Sequence, residues 1–386
     1  IKDLKQHTRY IRKLVLASPC VHGAPPEGYL PVDDIPELAN VEYVDLPAPR
    51  NTLDGLGKLP ITLARLWREI RKADIVHTSI AGWPIPEGWI TTPLAKLHKR
   101  FTTIVVESSF WRMAPSVEAN WKQRIRAVIT EWGNRYVVRS MDLPFFNQTQ
   151  YRYELLGEDR DRGHVVHATW IDPHDLLTPR AAADLWRGKR TRDGEPLRLV
   201  FAGSLTAAKG LPLLLKGILK AAEFGLPVQL DIFGNGPFVD ECARVAAMLK
   251  GEARIRLRGT VPYGPEFFKR LQQYHALIYP VVSNEQPRII FDAYAQALPI
   301  LASASPGMRE CVKDFHTGRL FTPNDPDQLF ETIAWAHDNR DRLQTMGMNA
   351  LRFAEGQTHE AMHRQRWQRL VERLDSRLLE SPVTPG

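Results

Sequence analysis

The sequence predicts an α/β fold made of two doubly wound, Rossmann-like domains that face each other across a cleft. The chain has 386 residues, which is more than one ordinary hydrophobic core requires. In both halves, short apolar runs bounded by Gly and Pro alternate with stretches of helical periodicity. That alternation is typical of βαβ units on a parallel sheet, and a charged stretch near the middle divides it into two.

The second half shows the alternation most clearly. Its apolar runs, separated by helical segments, are LRLVFAGS, VQLDIFGNGP, RIRLRGTVP, ALIYPVV and PILAS. We therefore predict a C-terminal domain over residues 197–356. Residues 357–386 follow as a helix whose apolar face, with Trp367, Leu370, Val371 and Leu374, is expected to pack across the interdomain region.

The first half repeats the pattern less regularly, and we predict an N-terminal domain over residues 1–180. Its apolar runs are KLVLASP, NVEYVDLP, DIVHTSIAG, TTIVVESS and GHVVHATWID. The opening IKDLKQHTRYIRK has helical character, so this sheet is expected to lack the first strand of its fold. Residues 181–196 are charged, end in Gly and Pro, show no apolar period and are predicted to be the linker.

Composition narrows the class of protein. No apolar run reaches about 18 residues, the N-terminus lacks a secretory pattern, and a cytoplasmic location is expected. The three cysteines are scattered without metal-like spacing, which argues against a disulfide framework and a zinc site.

The net charge of +7 is spread over both halves, which argues against a nucleic-acid partner, since that would favour a basic stripe. Two basic helical segments, WREIRK (67–72) and WKQRIR (121–126), leave open a peripheral contact with the inner face of a membrane. Solvated helix faces are the plainer interpretation of both segments.

Glycines stand at the predicted carboxyl ends of three C-terminal strands: Gly203, then Gly234 with Gly236, and Gly259. Ligands of open parallel sheets bind at this edge, where glycine lets backbone N–H groups approach an anion. Lys209 precedes a helix six residues after Gly203 and can reach the same anion. Together these residues favour a phosphate-bearing ligand.

The stretch SNEQPRIIFDAYAQALP brings two carboxylates to the same edge. Glu285 and Arg288 lie in the loop after the strand ALIYPVV, Ile289 begins the next helix, and Asp292 falls in its first turn. A carboxylate can accept two hydrogen bonds from vicinal hydroxyls, which suits a sugar, whereas Lys, Arg and backbone amides suit phosphate. The predicted ligand is a sugar joined to phosphate.

These motifs resemble those of retaining glycosyltransferases of the GT-B fold, family 4. The resemblance covers the second half through GSLTAAKG (203–210), GNGP (234–237), RGTV (258–261), EQPRIIFDAYAQALP (285–299) and HTGRLFTPNDPDQL (316–329). The first half is similar at DIVHTS and HVVHATWIDPHDL.

The resemblance implies a metal-independent hexosyltransferase without a cofactor, using a UDP- or GDP-sugar as co-substrate. It assigns the diphosphate to Lys209, the nucleoside ribose to Asp292 and the transferred sugar to Glu285, so Glu285 and Asp292 are the catalytic candidates. The donor-site candidates are Gly203, Ser204, Lys209, Gly234, Gly236, Val261, Arg288 and Ile289. The acceptor would be a saccharide, a lipid-linked saccharide or a growing surface polysaccharide.

The sequence departs from the family pattern at several positions. Six residues instead of seven separate the two acidic residues, and the second is Asp instead of Glu. Ser204 replaces the family's arginine, and we expect Arg288 to supply the missing charge. On the acceptor side the candidates are His77 and Glu107, the latter where the family commonly has histidine.

Two other functions are left open by the sequence. One is a catalytically inactive GT-B scaffold that serves as a binding or partner protein. The other is a nucleotide-sugar epimerase, which would need carboxylates from both domains around the sugar, a requirement that Glu107 could meet.

Overall fold

A computed structural model describes residues 1–20, 23, 31–82, 85–109, 111–112, 120–189 and 195–380. The strands are β1 (Leu14–Ser18), β2 (Val41–Asp45), β3 (Ile75–Thr78), β4 (Phe101–Val106), β5 (Leu143–Phe146), β6 (His164–Val165), β7 (Leu197–Ala202), β8 (Val228–Phe233), β9 (Arg254–Gly259), β10 (Ala276–Tyr279), β11 (Ile300–Ser303) and β12 (Gly318–Phe321).

The helices flank these strands in chain order. They are α1 (Lys2–His7), α2 (Thr52–Ile70), α3 (Glu87–Leu97), α4 (Trp121–Ser140), α5 (Thr149–Leu156), α6 (Pro179–Gly188), α7 (Leu211–Glu223), α8 (Val239–Met248), α9 (Pro265–Leu271), α10 (Ile289–Ala295), α11 (Pro306–Cys311), α12 (Pro326–Asp338), α13 (Arg340–Ala354) and α14 (His359–Glu380). None of the helices in these described ranges is long and apolar enough to span a bilayer.

The C-terminal domain is one parallel sheet of six strands in the order β12-β11-β10-β7-β8-β9. The order reverses between β7 and β10, which creates the switch point where ligands of such sheets bind. Strands β7, β8, β10 and β11 consist mainly of buried apolar residues, whereas the edge strand β9 is mostly exposed. This core explains why the apolar runs of the second half were easy to recognise.

The N-terminal domain contains a pair of parallel strands, β1 and β2, and a separate parallel sheet in the order β3-β4-β5-β6. The first described element is α1, which precedes β1. Strand β5 has no counterpart among the apolar runs recognised in the sequence, since it is four residues long and contains Pro144, a residue that argues against a strand. Here Pro144 pairs with Ile104 of β4, and all four residues are buried.

The predicted linker, residues 181–196, is partly helical. Helix α6 covers its first eight residues, with Ala182 and Trp186 buried, and the indole N–H of Trp186 donates to the carbonyl of Ala297 at 3.0 Å. Two buried residues four apart are enough to hold this helix, because one tryptophan buries a large area. Residues 190–194 lie outside the described part of the chain.

Helix α14 returns from the C-terminal domain to the N-terminal one. Met362, Leu370 and Leu374 pack with residues of β4 and β5, and the Trp367 ring lies 5.1 Å from that of Tyr10. The last residues of the predicted terminal helix, 381–386, lie outside the described residues. The helix therefore ties the two domains together.

Candidate active site

A cavity of about 570 Å³ lies between the domains, at the carboxyl ends of the C-terminal strands. The predicted donor-site residues that line it are Gly203, Ser204, Lys209, Gly234, Val261, Glu285, Arg288, Ile289 and Asp292. Glu107 and Ser108, which follow β4, line it from the N-terminal domain. The structure thus gathers most of the residues that the sequence singled out.

Lys209 and Glu285 meet across the switch point. The Lys209 Nζ lies 3.0 Å from the Glu285 Oε2, although the residues are 76 positions apart. Lys209 closes a short turn, Ala207–Lys209, that Gly210 ends with a φ of +81°. A Cβ at Gly210 would come within 1.8 Å of the Pro280 carbonyl oxygen, so this position requires glycine. The tight packing there fixes the lysine against the loop that carries Glu285.

Asp292 is buried in the first turn of α10, and only 5% of its surface is exposed. The Tyr263 hydroxyl donates to its Oδ1 at 2.9 Å. Burial raises the pKa of Asp292 to about 7, against the opposing effects of this hydrogen bond and of the Arg288 charge. Burial also raises the pKa of Tyr263, so that hydroxyl stays protonated and remains the donor.

Arg288 is exposed and stacks on an aromatic ring. Its guanidinium carbon lies 3.7 Å from the centre of the Trp170 ring, and the Trp170 and Tyr263 rings meet edge to face at 6.0 Å. Guanidinium groups stack well on indole while keeping their N–H groups directed outward. The stack holds a positive charge at the wall of the cavity, close to Asp292.

The glycines of this edge pack against one another. A Cβ on Gly234 would come within 1.9 Å of the Gly203 carbonyl oxygen, and one on Gly236 within 2.6 Å of the Leu205 carbonyl oxygen. Gly236 is not among the described residues that line the cavity. Close approach of two loop backbones, with positive φ at all three glycines, is enough to require them.

The two acceptor-side candidates lie apart. Glu107 lines the cavity, its carbonyl accepts from Asn147 Nδ2 at 2.7 Å, and its Oε1 lies 3.8 Å from the buried Arg366. His77 does not line the cavity as described. It lies beside His7, whose ring centre is 6.1 Å away, and desolvation by the surrounding groups lowers the pKa of His77 to about 4.

Among the cavity-lining residues that the sequence did not indicate are Tyr263, Trp170 and Gln286. Gln286 is buried, and its Oε1 accepts from the Ala168 backbone N–H at 3.0 Å, which joins the Glu285 loop to the segment after β6. Gln286 stands inside the motif EQPR, but an amide carries no local sign of what it will bond. The aromatic pair likewise comes from two segments without a shared periodicity.

Two groups of described side chains have the composition of a metal site: Asp3 with His359 and His363, and Asp172 with His174 and Asp175. In the first, the Nε2 atoms of both histidines lie 2.8 and 2.9 Å from Asp3 Oδ1. Hydrogen bonds therefore account for that group, which fastens α14 to α1. Neither group contains a residue that lines the cavity as described.

The sequence of the chain is similar to those of known glycosyltransferases. Residues 183–353, just under half of the chain, match the family model for glycosyl transferases group 1. A D-inositol 3-phosphate glycosyltransferase of Nocardia farcinica is 26% identical over 322 residues, which cover 77% of this chain and 67% of that protein. A protein of the same name from Xylanimonas cellulosilytica is 27% identical, covering 79% of this chain and 74% of its own.

Solved structures resemble the whole chain. Anabaena HepE in complex with UDP superposes with a TM-score of 0.69 at 15% identity, covering 96% of this chain and 95% of its own. A glycosyltransferase from Rickettsia africae gives a TM-score of 0.67 at 15% identity, covering 96% and 93%. The predicted GT-B fold is confirmed. The chain has the GT-B fold found in glycosyltransferases, and its residues 183–353 match the family model for glycosyl transferases group 1.

Proposed function

We propose that the protein transfers a hexose, with retention of configuration, from a UDP- or GDP-sugar to a saccharide or lipid-linked acceptor. One observation carries the proposal: a cation and two carboxylates, Lys209, Glu285 and Asp292, line a single cavity at the switch point of the sheet. One structurally similar protein supports a uridine donor, because Anabaena HepE has been crystallised with UDP and with UDP-glucose.

In this proposal the donor diphosphate binds Lys209, Arg288 and the backbone N–H groups near Gly203 and Gly234. Lys209 is paired with Glu285 in the structure. A bound diphosphate offers Lys209 a stronger anionic partner, which leaves Glu285 to accept hydrogen bonds from the hydroxyls of the transferred sugar. Donor binding therefore assembles the sugar site by breaking one ion pair.

Asp292 would hold the nucleoside ribose by accepting hydrogen bonds from its two hydroxyls. Its Oδ1 already accepts from Tyr263, which positions the carboxylate. A carboxylate has about four acceptor positions, so one tyrosine leaves several for the ligand. The rings of Trp170 and Tyr263 supply an aromatic wall beside it, suited to a nucleobase.

The reaction would break the bond between the sugar C1 and the diphosphate oxygen while the acceptor oxygen attacks C1 from the same face. The acceptor proton goes to a phosphate oxygen of the leaving diphosphate. Lys209, Arg288 and the loop amides stabilise the charge that develops on that group, so the proposed reaction needs no metal ion or cofactor. Closure of the two domains would exclude water and thereby limit hydrolysis of the donor.

The first experiment is a calorimetric titration with UDP, GDP, UDP-glucose and GDP-mannose. We expect one nucleotide class to bind the wild type, and Lys209→Ala and Asp292→Ala to weaken it at least tenfold. Lys216→Ala is the matched control, because Lys216 is an exposed lysine on the helix that follows Lys209. Equal affinity in all four proteins would contradict the proposed donor site.

Assays of product formation distinguish a retaining transferase from an inverting transferase, an epimerase and an inactive scaffold. An NMR spectrum of the glycosylated product gives its anomeric configuration, and an inverted product would refute retention. An epimerase is favoured by one observation, that Glu107 and Glu285 line the same cavity from opposite domains. It would convert the donor into its epimer without an acceptor. A folded protein that binds no nucleotide would instead be an inactive scaffold.

A further inference from the structure

Helix α4 has an exposed apolar face on the N-terminal domain. The helix is 20 residues long, and its buried residues, Gly133, Asn134, Val137 and Val138, lie on one side. A surface helix ordinarily turns its apolar stripe toward this buried side and its polar residues toward water. Helix α4 places its largest apolar side chains on the opposite side.

The exposed apolar residues form one continuous stripe along the helix. They are Trp121, Ile125, Val128, Ile129, Trp132 and Tyr136. With 3.6 residues per turn they fall within an arc of about 100°. Trp132 and Val128 are 73% and 70% exposed, and the Trp132 and Tyr136 rings stack at 6.5 Å along the stripe. A continuous stripe of six exposed apolar side chains on a protein surface indicates an interaction site.

Positive charge borders the stripe on both sides. Helix α4 carries five basic residues, namely Lys122, Arg124, Arg126, Arg135 and Arg139, and one acidic residue, Glu131. Lys122 and Arg126 follow one border, and Arg124 and Arg135 follow the other, where Arg135 forms an ion pair with Glu131. The Glu131 carboxylate accepts hydrogen bonds from Trp111, Arg112 and Arg135, so its charge is balanced locally.

We infer that α4 docks the protein onto the surface of an anionic lipid bilayer. A helix with an apolar face, basic borders and low overall hydrophobicity lies in the plane of the interface with that face sunk about 5–10 Å into it. Tryptophan and tyrosine favour this region, since their rings combine an apolar body with a polar edge. The basic borders then lie at the level of the lipid phosphates.

A second copy of the chain is a less suitable occupant for this face. Two copies meeting through the stripe would bring the positive borders of both helices together, and the one acidic residue of α4 is already engaged. Like charges facing each other oppose such a pair. An anionic surface is attracted by both borders at once.

Docking by α4 does not depend on sugar transfer, so its test uses binding to vesicles of phosphatidylcholine with and without 30% phosphatidylglycerol. We expect the wild type to co-sediment with the anionic vesicles and to be released by salt. The variant Trp121→Gln/Val128→Gln/Trp132→Gln should bind at least tenfold more weakly. The control Met248→Gln, which removes an exposed apolar side chain from the C-terminal domain, should bind like the wild type.

A charge variant tests the borders. Lys122→Glu/Arg126→Glu should lose the preference for anionic over neutral vesicles, and an unchanged preference would contradict the inference. Wild type that stays in the supernatant with both vesicles would overturn it, as would equal binding by the triple variant. A dimer in light scattering that only the triple variant dissociates, without vesicle binding, would assign the stripe to a second copy instead. Melting temperatures equal to that of the wild type verify that each variant is folded.

Discussion

Two buried aspartates of the C-terminal domain have closely similar first contacts and different surroundings. Asp231 of β8 accepts from the Tyr274 hydroxyl at 2.9 Å, and Asp292 of α10 accepts from the Tyr263 hydroxyl at the same distance. Both residues are at least 95% buried. Asp231 also accepts from Arg258 Nε at 2.8 Å, and Gln229 Nε2 lies 3.3 Å away. The carboxylate of Asp231 is thus well supplied with donors from the protein.

Asp292 has fewer partners and a cavity beside it. Its hydrogen bond from Tyr263 is the one its side chain makes within the described residues, and Arg288, which contributes positive charge, stacks on Trp170. Burial therefore raises the pKa of Asp292 to about 7. A carboxylate whose hydrogen bonds are completed by protein serves the fold, and one left incomplete beside a cavity is suited to a ligand.

The largest expected difference comes from replacing each aspartate by asparagine. Asp292→Asn should weaken binding of the nucleotide donor by about 30-fold, because a charged acceptor of two hydroxyls is lost, and it should not destabilise the fold. Asp231→Asn should lower the free energy of unfolding by about 1–2 kcal/mol and leave donor affinity unchanged. Calorimetry and urea denaturation measure the two quantities.

The comparison fails if the effects are exchanged. Loss of stability in Asp292→Asn with intact binding would make Asp292 a structural residue, and loss of binding in Asp231→Asn would mean that distortion of β8 reaches the cavity.

The arginine near each aspartate should show the same difference between a binding role and a structural role, with smaller effects. Arg288→Ala should weaken donor binding about tenfold, since it removes one charge from the proposed diphosphate site. Arg258→Ala should leave binding unchanged and cost at most about 1 kcal/mol of stability, because its side chain is 40% exposed and water screens the pair. Titration of both variants with UDP-glucose checks this, and an unaltered affinity in Arg288→Ala would remove that residue from the site.

The tyrosine hydroxyls allow a matched pair of deletions. Tyr274→Phe should destabilise the protein by about 1 kcal/mol, the usual contribution of one hydrogen bond. Tyr263→Phe removes the hydrogen bond that opposes the rise in the Asp292 pKa, so that pKa should rise further and donor affinity at pH 7 should fall severalfold. Thermal melts and donor titrations on both variants measure these effects. Equal changes in melting temperature and in donor affinity would contradict the different roles assigned to the two tyrosines.

A smaller effect is expected from pH. If the ionised Asp292 holds the ribose, affinity for UDP-glucose should increase about fivefold to tenfold between pH 6 and pH 8, through its pKa of about 7. Stability changes in the opposite direction. The folded state retains a proton that the unfolded state releases above about pH 4, so the contribution of Asp292 to stability falls between about pH 4 and pH 7.

Asp292→Asn is the control for both pH effects. Its affinity should be flat across this range, and its stability should lack the decline assigned to Asp292. A wild-type affinity that does not change with pH would show that the carboxyl group is already ionised well below pH 7.

The apolar runs of both halves predict strands that the structure contains, and one strand in each half lacks such a run. In the C-terminal half, β7 to β11 are present as predicted, because buried parallel strands leave apolar runs, whereas β12 was not predicted. In the N-terminal half, β5 was missed, since four residues with a proline carry almost no periodic signal. Helix α6 was not predicted either, although Ala182, Leu185 and Trp186, spaced i, i+3 and i+4, give it an apolar face.

The sequence determined the edge at which the candidate site forms. Parallel strands place their carboxyl ends together, so Lys209 after β7 and Glu285 after β10 had to meet wherever those strands became neighbours. Local signals such as glycine after a strand and an acidic residue in a first turn were enough to indicate this position.

Only the tertiary structure decided what surrounds those residues. Tyr263 beside Asp292, Trp170 beneath Arg288 and Gln286 bonded to Ala168 join segments that are far apart in the chain. The same holds for α14, which crosses to the N-terminal domain, and for α4, which turns its tryptophans outward. Periodicity reports which residues share a face of one element, but the neighbour of that face depends on the packing of the whole chain.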